Sequence, residues 1–247
     1  MSGHERASNA AGLTVPPALA AGEIEVLGAL PESSNAALLV RCVTPYDSCL
    51  AVYKPMRGEA PLWDFPDGTL HRREVAAFEL ARALGWPRVP PTVLRDGPFG
   101  PGSVQLFISF DPAEHFFTLE VEHEDTFRRV ALFDLAANNA DRKGGHCLLA
   151  TDGAIWVIDH GVCFAVEPKL RTVIWTFVDE PLPPDAVADL ERVRTELATS
   201  GAVADTLGAL LAPQETAAIV ERIDRLLLAG RFPEPEPGVR PFPWPPI

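Results

Sequence analysis

The sequence predicts an α+β chain of two unlike halves: a five-stranded antiparallel lobe carrying one helix, then a mainly helical lobe containing a short hairpin. Three observations point there. Short β-prone runs gather before residue 111, and apolar stripes of helical period dominate after it. One helical stripe, residues 71–84, interrupts the strand-rich half. Two apolar runs flank Asp152-Gly153 inside the helical half and read as a hairpin. The length of 247 residues allows one large or two small lobes, and 47% apolar content suffices for a core.

Composition excludes some classes. A net charge of −13 argues against a nucleic-acid partner and against a polybasic lipid-surface module. The four cysteines (42, 49, 147 and 163) fit neither a C-x-x-C motif nor a small disulfide scaffold. They read as reduced, mostly buried thiols of a cytoplasmic protein. A zinc site of His146, Cys147 and Cys163 is disfavoured, because alternation sends 146 and 147 to opposite faces. The first twelve residues lack an apolar signal-peptide segment, and no run approaches the ~20 apolar residues of a membrane span.

Four regions are expected: a flexible N-terminal segment (1–21), a strand-rich lobe (22–110), a helical lobe (111–232) and a Pro-rich tail (233–247). The first three strands are placed at 23–28, 36–43 and 50–54. The loop between the first two contains Ser33, Ser34 and Asn35, whose backbone N–H groups and hydroxyls suit a phosphate, although an ordinary hairpin loop reads equally well. Lys54 ends the third strand and shares a face with Val52 and Leu50. A lysine on such a face wants a partner. The helix at 71–84, stopped by Gly85 and Pro87, puts Glu74 on one face with Phe78 and Ala81, so Glu74 is the candidate partner. Strands at 89–93 and 103–110 complete the sheet.

The helical half opens with a stripe over 124–138. The hairpin follows, with strands at 147–151 and 154–158. A two-residue Asp152-Gly153 turn pairs Thr151 with Ala154 and carries His146 opposite Asp159. Asp141 precedes the hairpin on a Gly-containing loop. Two acids and an imidazole at a loop-rich hairpin mouth suit a metal and a phosphate better than a core. Helices at 185–199 and 214–228 close the lobe. The tail alternates Pro with acidic and then aromatic residues, and its Phe242 and Trp244 suit docking on the body or binding a partner.

Asp141-Arg142, His146 and the Asp159-His160-Gly161 triplet resemble the catalytic loop and metal-binding triplet of the protein-kinase-like superfamily, in the flavour of its phosphatidylinositol 3-/4-kinase-like branch. Bacterial, actinobacterial-type members of that branch resemble the chain more fully, with a His where most kinases carry Asn. The resemblance spans roughly residues 23–180 and implies a two-lobed kinase-like fold with ATP in the cleft. It implies that Val52 covers the adenine, that Phe107 and Ile108 lie in the hinge, and that Lys54, fixed by Glu74, holds the phosphates. Asp159 would then bind the metal and Asp141 would serve the attacking hydroxyl.

His146 departs from the family's amide. Mg²⁺ prefers oxygen ligands, whereas imidazole suits softer cations such as Mn²⁺. His146 therefore ligates Mn²⁺, or holds Asp159 or Asp141 by a hydrogen bond, or leaves a single strong metal site. Arg142 and Lys143 are candidates for the γ-phosphate region or for solvated surface. Lys169, Arg171 and Trp175 fall in the segment corresponding to the activation loop. Together these imply a phosphotransferase acting on a hydroxyl of a small molecule or protein, with a lipid less favoured on so acidic a chain. The alternatives are an ATP-binding pseudokinase sensor and an AMP-transferring enzyme.

Overall fold

The computed structural model describes residues 14–30, 36–199, 201–238 and 240–247. The first lobe holds β1 (Glu23–Ala29), β2 (Leu38–Val43), β3 (Ser48–Pro55), β4 (Thr92–Gly97) and β5 (Gly100–Leu106). They form one antiparallel sheet in the order β1-β2-β3-β5-β4. Alternation along β3 is clean. Ala51 and Tyr53 are buried with Val40, Cys42 and Val104, while Leu50, Val52 and Lys54 line the more open face. The strand expected at 89–93 instead begins at Thr92. Pro90 and Pro91 carry no backbone N–H and cannot donate to a ladder.

The expectation of a flexible segment through residue 21 needs correction. Pro17–Ala21 forms a short helix, α1, with Ala18 and Leu19 buried. Arg95 from β4 donates to the carbonyls of Leu19 and Gly22, which ties this turn to the sheet. Burial of Leu19 against Tyr53 and Val104 supplies the driving force that an isolated five-residue helix lacks.

Helix α2 (Leu70–Leu84) ends where Gly85 adopts φ 84°, a left-handed cap that costs glycine little. It serves both lobes. It packs on β4 and β5, and its Ala77, Phe78 and Ala81 also enter the large core with Phe127, Val130 and Ile219. Its buried Arg73 reaches Glu215 and the carbonyl of Cys163.

The second lobe contains α3 (Phe116–Leu119), α4 (Glu124–Ala137), the hairpin β6 (Cys147–Leu149) and β7 (Ile155–Val157), then α5 (Pro184–Ala198), α6 (Ala202–Gly208) and α7 (Pro213–Ala229). Pro184 and Pro213 open their helices at positions where no N–H is needed. The short helices α3 and α6 lie outside the sequence expectation, being too brief for a periodic stripe. All four cysteines are free thiols.

The hairpin register differs by one residue from the expected one. Cys147 faces Val157 and Leu149 faces Ile155. Ala150 N–H donates to Ala154 O, so the loop is Thr151-Asp152-Gly153. Gly153 takes φ 79°, the left-handed third position of a three-residue loop. His146 consequently pairs with Ile158, whose N–H donates to its carbonyl, and not with Asp159.

The tail lies on the helical lobe, held by carbonyls rather than by its aromatic rings. Thr172 N–H and Trp175 Nε1–H donate to Pro241 O, and Gly144 N–H donates to Pro246 O at 2.7 Å. Phe242 and Trp244 stay exposed. A proline-rich strand has few N–H donors, so its acceptors do the binding.

Candidate active site

Lys54 projects from the open face of β3 and contacts two acids. One is Glu74 Oε1 on α2, and the other is Asp159 Oδ1 at 2.8 Å, just beyond β7. Glu74 is almost fully buried, and its second oxygen accepts the His160 backbone N–H at 3.0 Å. Burial works against the Lys54 ammonium, but Asp159 and Glu74 outweigh it and raise its pKa. Lys54 in turn holds Asp159 far below the usual carboxylate range. Burial raises Glu74, against the pull of Lys54.

Asp141 follows α4 on a tight loop. Its N–H donates to Asn139 Oδ1 at 3.0 Å, and its carboxylate lies 3.5 Å from Lys143 Nζ. Burial raises its pKa and Lys143 opposes the rise. Lys54, Glu74, Asp141 and Asp159 line one cavity of about 50 Å³ between the lobes. Glu59 and His71 line it too. Glu59 escaped the sequence reading. It accepts from Leu70 N–H and His71 N–H, so it caps the start of α2 from a loop eleven residues away, where no local motif announces it.

Asp159 adopts φ 62°, uncommon for a residue with a side chain and a feature that gathers at functional sites. His146 Nε2 lies 3.5 Å from Asp159 Oδ2. The Lys143 backbone N–H donates to His146 Nδ1 at 3.3 Å. In the neutral ring the proton is therefore on Nε2, facing Asp159. Burial pushes the ring's pKa down to about 4, so it is neutral near pH 7. A ligating histidine needs its free lone pair toward the cation and a donor N–H behind it, the opposite of this arrangement. Among the described residues no cluster of three or more His, Cys, Asp or Glu gathers to hold a metal. Mg²⁺ requires only one or two carboxylates when phosphates and water complete its shell, and Asp159 with neighbouring Asp141 suits that mode.

Arg142 is corrected by the structure. It is fully buried, forked onto Asp134 of α4 at 2.9 Å, and cannot reach a γ-phosphate. It also donates to Ile158 O and to His160 Nε2. The ring of His160 is buried and neutral. Arg142 thus pins the loop after α4 to Asp134 of that helix and to the Ile158–His160 segment. A carboxylate on the apolar stripe of α4 was the available signal for its partner. Lys143 stays near Asp141, Lys169 pairs with Asp64, and Trp175 holds the tail.

Val52 lies on the Lys54 face of β3. Phe107 N–H donates to Leu50 O, and Ile108 packs on Leu148, Ala150 and Trp156 of the second lobe, so both residues lie where the lobes join. Ser33, Ser34 and Asn35 lie outside the described residues.

No family model matches the chain. Protein Rv2133c of Mycobacterium tuberculosis is 38% identical over 262 residues, spanning 92% of this chain and 93% of that protein. The chain belongs to the Rv2133c family. It is also 26% identical to phosphatidylinositol 4-kinase gamma 3 of Arabidopsis thaliana and 28% identical to phosphatidylinositol 4-kinase gamma 4 of Oryza sativa. Those matches cover about half of this chain, and 27% and 24% of the plant proteins. The crystal structure of the Helicobacter pylori proinflammatory kinase CtkA superposes with a TM-score of 0.52 at 12% identity, covering 83% of this chain and 91% of that one. The fold of this Rv2133c-family chain is accordingly kinase-like and two-lobed. No helix among the described residues is long and apolar enough to cross a membrane.

Proposed function

We propose that this chain is an ATP-dependent phosphotransferase of the phosphatidylinositol 3-/4-kinase-like branch, in a bacterial version, moving the γ-phosphate of ATP to a hydroxyl. The contact of Lys54 with both Glu74 and Asp159 carries this reading, because it sets a cation and a metal-competent acid at one crevice between two lobes. Phosphoryl transfer depends chiefly on positioning and charge neutralisation. Lys54 holds the α/β-phosphates, with Glu74 keeping it in place. Val52, Phe107 and Ile108 take the adenine, and Ser33, Ser34 and Asn35 supply phosphate contacts from the β1–β2 loop. Asp141 accepts the hydroxyl proton as the acceptor oxygen bonds to the γ-phosphorus and ADP departs. Asp159 is the principal ligand for Mg²⁺ or Mn²⁺, with His146 orienting it. Such an ion, when bound, neutralises charge on the β- and γ-phosphates.

The acceptor is a small molecule or a protein hydroxyl. A net charge of −13 disfavours an anionic lipid surface. The ring proton of His146 facing Asp159 favours one second reading, an ATP-binding sensor with a single strong metal ligand and little turnover. AMP transfer on the same fold requires the nucleotide reversed. Metal-dependent turnover of γ- and α-labelled ATP, with Asp141→Asn as control, separates the three. Label transfer from the γ position, lost in the variant, supports the kinase. Transfer from the α position supports AMP transfer. ATP binding without transfer to any offered acceptor supports the sensor.

A further inference from the structure

A second cavity, of about 280 Å³, lies in the helical lobe away from the crevice. Four segments line it: α4 with Leu135, the 166–175 segment with Leu170 and Trp175, α7 with Arg222 and Leu226, and the tail with Pro241. Its walls are mainly apolar, yet Arg222, Arg225 and Arg231 all line it. Three arginines around one apolar hollow stand out on a chain where acids outnumber bases 34 to 21.

Arg222 is the unusual one. Only 8% of it is exposed. Its Nε donates to Ala136 O and its Nη1 to Ala165 O, both neutral carbonyls. Nη2 is buried without a hydrogen-bond partner. No carboxylate among the described residues lies within ion-pairing distance, although Glu234 and Glu236 of the tail line the same cavity. Burial depresses its pKa to about 10. Among the described residues the other buried arginines are matched: Arg142 with Asp134 and Arg73 with Glu215. A buried guanidinium without a counter-ion is costly, and removal of that cost is available to any anion that reaches it. The planar fork of arginine suits the paired oxygens of a carboxylate or phosphate.

We infer that this cavity binds a small anionic amphiphile, its carboxylate or phosphate head drawn to Arg222 and its apolar body against Leu135, Leu170, Trp175 and Leu226. The volume falls just below that of sites for drug-sized ligands, which favours a compact ligand. Arg225 also lines the cavity, whereas Arg231 lies 4.0 Å from Asp179, and Glu234 and Glu236 offset part of the rim charge, so Arg222 is the group that draws the anion. The tail forms part of the wall, through the Pro241 carbonyl that accepts from Thr172 and Trp175. This site is separate from the crevice, so the inference stands whether or not the phosphotransferase reading does.

Calorimetric titration of the full chain with decanoate, decyl phosphate and decanol tests it. Saturable one-to-one binding of decanoate or decyl phosphate, at least 10-fold tighter than decanol, is expected, and whichever anion binds more tightly identifies the head. Arg222→Met should weaken the anion at least 10-fold and leave decanol unchanged. That variant loses two internal hydrogen bonds, so Ala229→Trp, at the exposed end of α7 on the cavity, provides a second route: it should weaken the anion at least 10-fold with Arg222 intact. Equal affinity for decanol and both anions, absence of saturable binding, or unchanged anion affinity in Ala229→Trp overturns the inference.

Discussion

Lys54 Nζ from β3 lies 2.8 Å from Asp159 Oδ1 beyond β7, so one ion pair joins the sheet lobe to the helical lobe. Glu74 completes the contact from α2, the helix that packs in both lobes.

Lys54→Met should abolish nucleotide turnover and also destabilise the protein. Glu74 would be left buried without its cation, a loss of the kind that costs about 3–5 kcal/mol. Protonation of Glu74 relieves that cost, so the gap between variant and wild type should narrow as pH falls toward 5. Urea denaturation at two pH values measures both effects, and a gap independent of pH would remove Glu74 as the cause.

Asp141→Asn should lower turnover by roughly 10²-fold or more with little change in melting temperature, since the side chain is partly exposed and structurally replaceable. Burial raises the Asp141 pKa and Lys143 restrains it. In the proposed reaction Asp141 acts deprotonated, so Lys143→Met should move the acidic limb of the pH–rate profile to higher pH. A limb that stays in place would dissociate Asp141 from the proton transfer.

Burial keeps His146 neutral in the fold, with a pKa of about 4, whereas an unfolded histidine titrates near 6.5. Between those values the unfolded chain binds the extra proton, so acidification through the window favours unfolding. Replacement by Asn removes that contribution, at most about 3 kcal/mol. Stability of His146→Asn should therefore fall less steeply between pH 7 and about pH 4.5, with His160 still supplying part of the slope. Parallel pH dependences for the two proteins would count against a buried neutral His146.

Asp134→Asn should be among the most damaging changes outside the crevice. It leaves Arg142 fully buried without its counter-charge, at a cost of about 3–5 kcal/mol. Arg142→Lys should cost comparably, because a lysine cannot fork onto Asp134 while also reaching Ile158 O and His160. Chemical denaturation of both variants checks the pair.

Local rules carried much of this molecule. Strand alternation placed Lys54 with Val52, helical period placed Glu74 beside Phe78, and the Asp-Gly pair marked the hairpin. Those features are legible because strand and helix periods depend on neighbours two to four residues away. Packing decided the rest. Whether the turn holds two residues or three depends on how β6 and β7 seat on the lobe, and that choice made Ile158 the backbone partner of His146, while the His146 ring still meets the Asp159 carboxylate at 3.5 Å. Arg142 reads as a solvated or phosphate-facing cation until α4 brings Asp134 to it. The unmatched burial of Arg222, the cap supplied by Glu59 and the seating of the tail on Gly144 all join residues far apart in the chain. Sequence order sets which groups are available, but the dielectric around each one, and hence its charge and partner, exists only once the lobes have closed upon it.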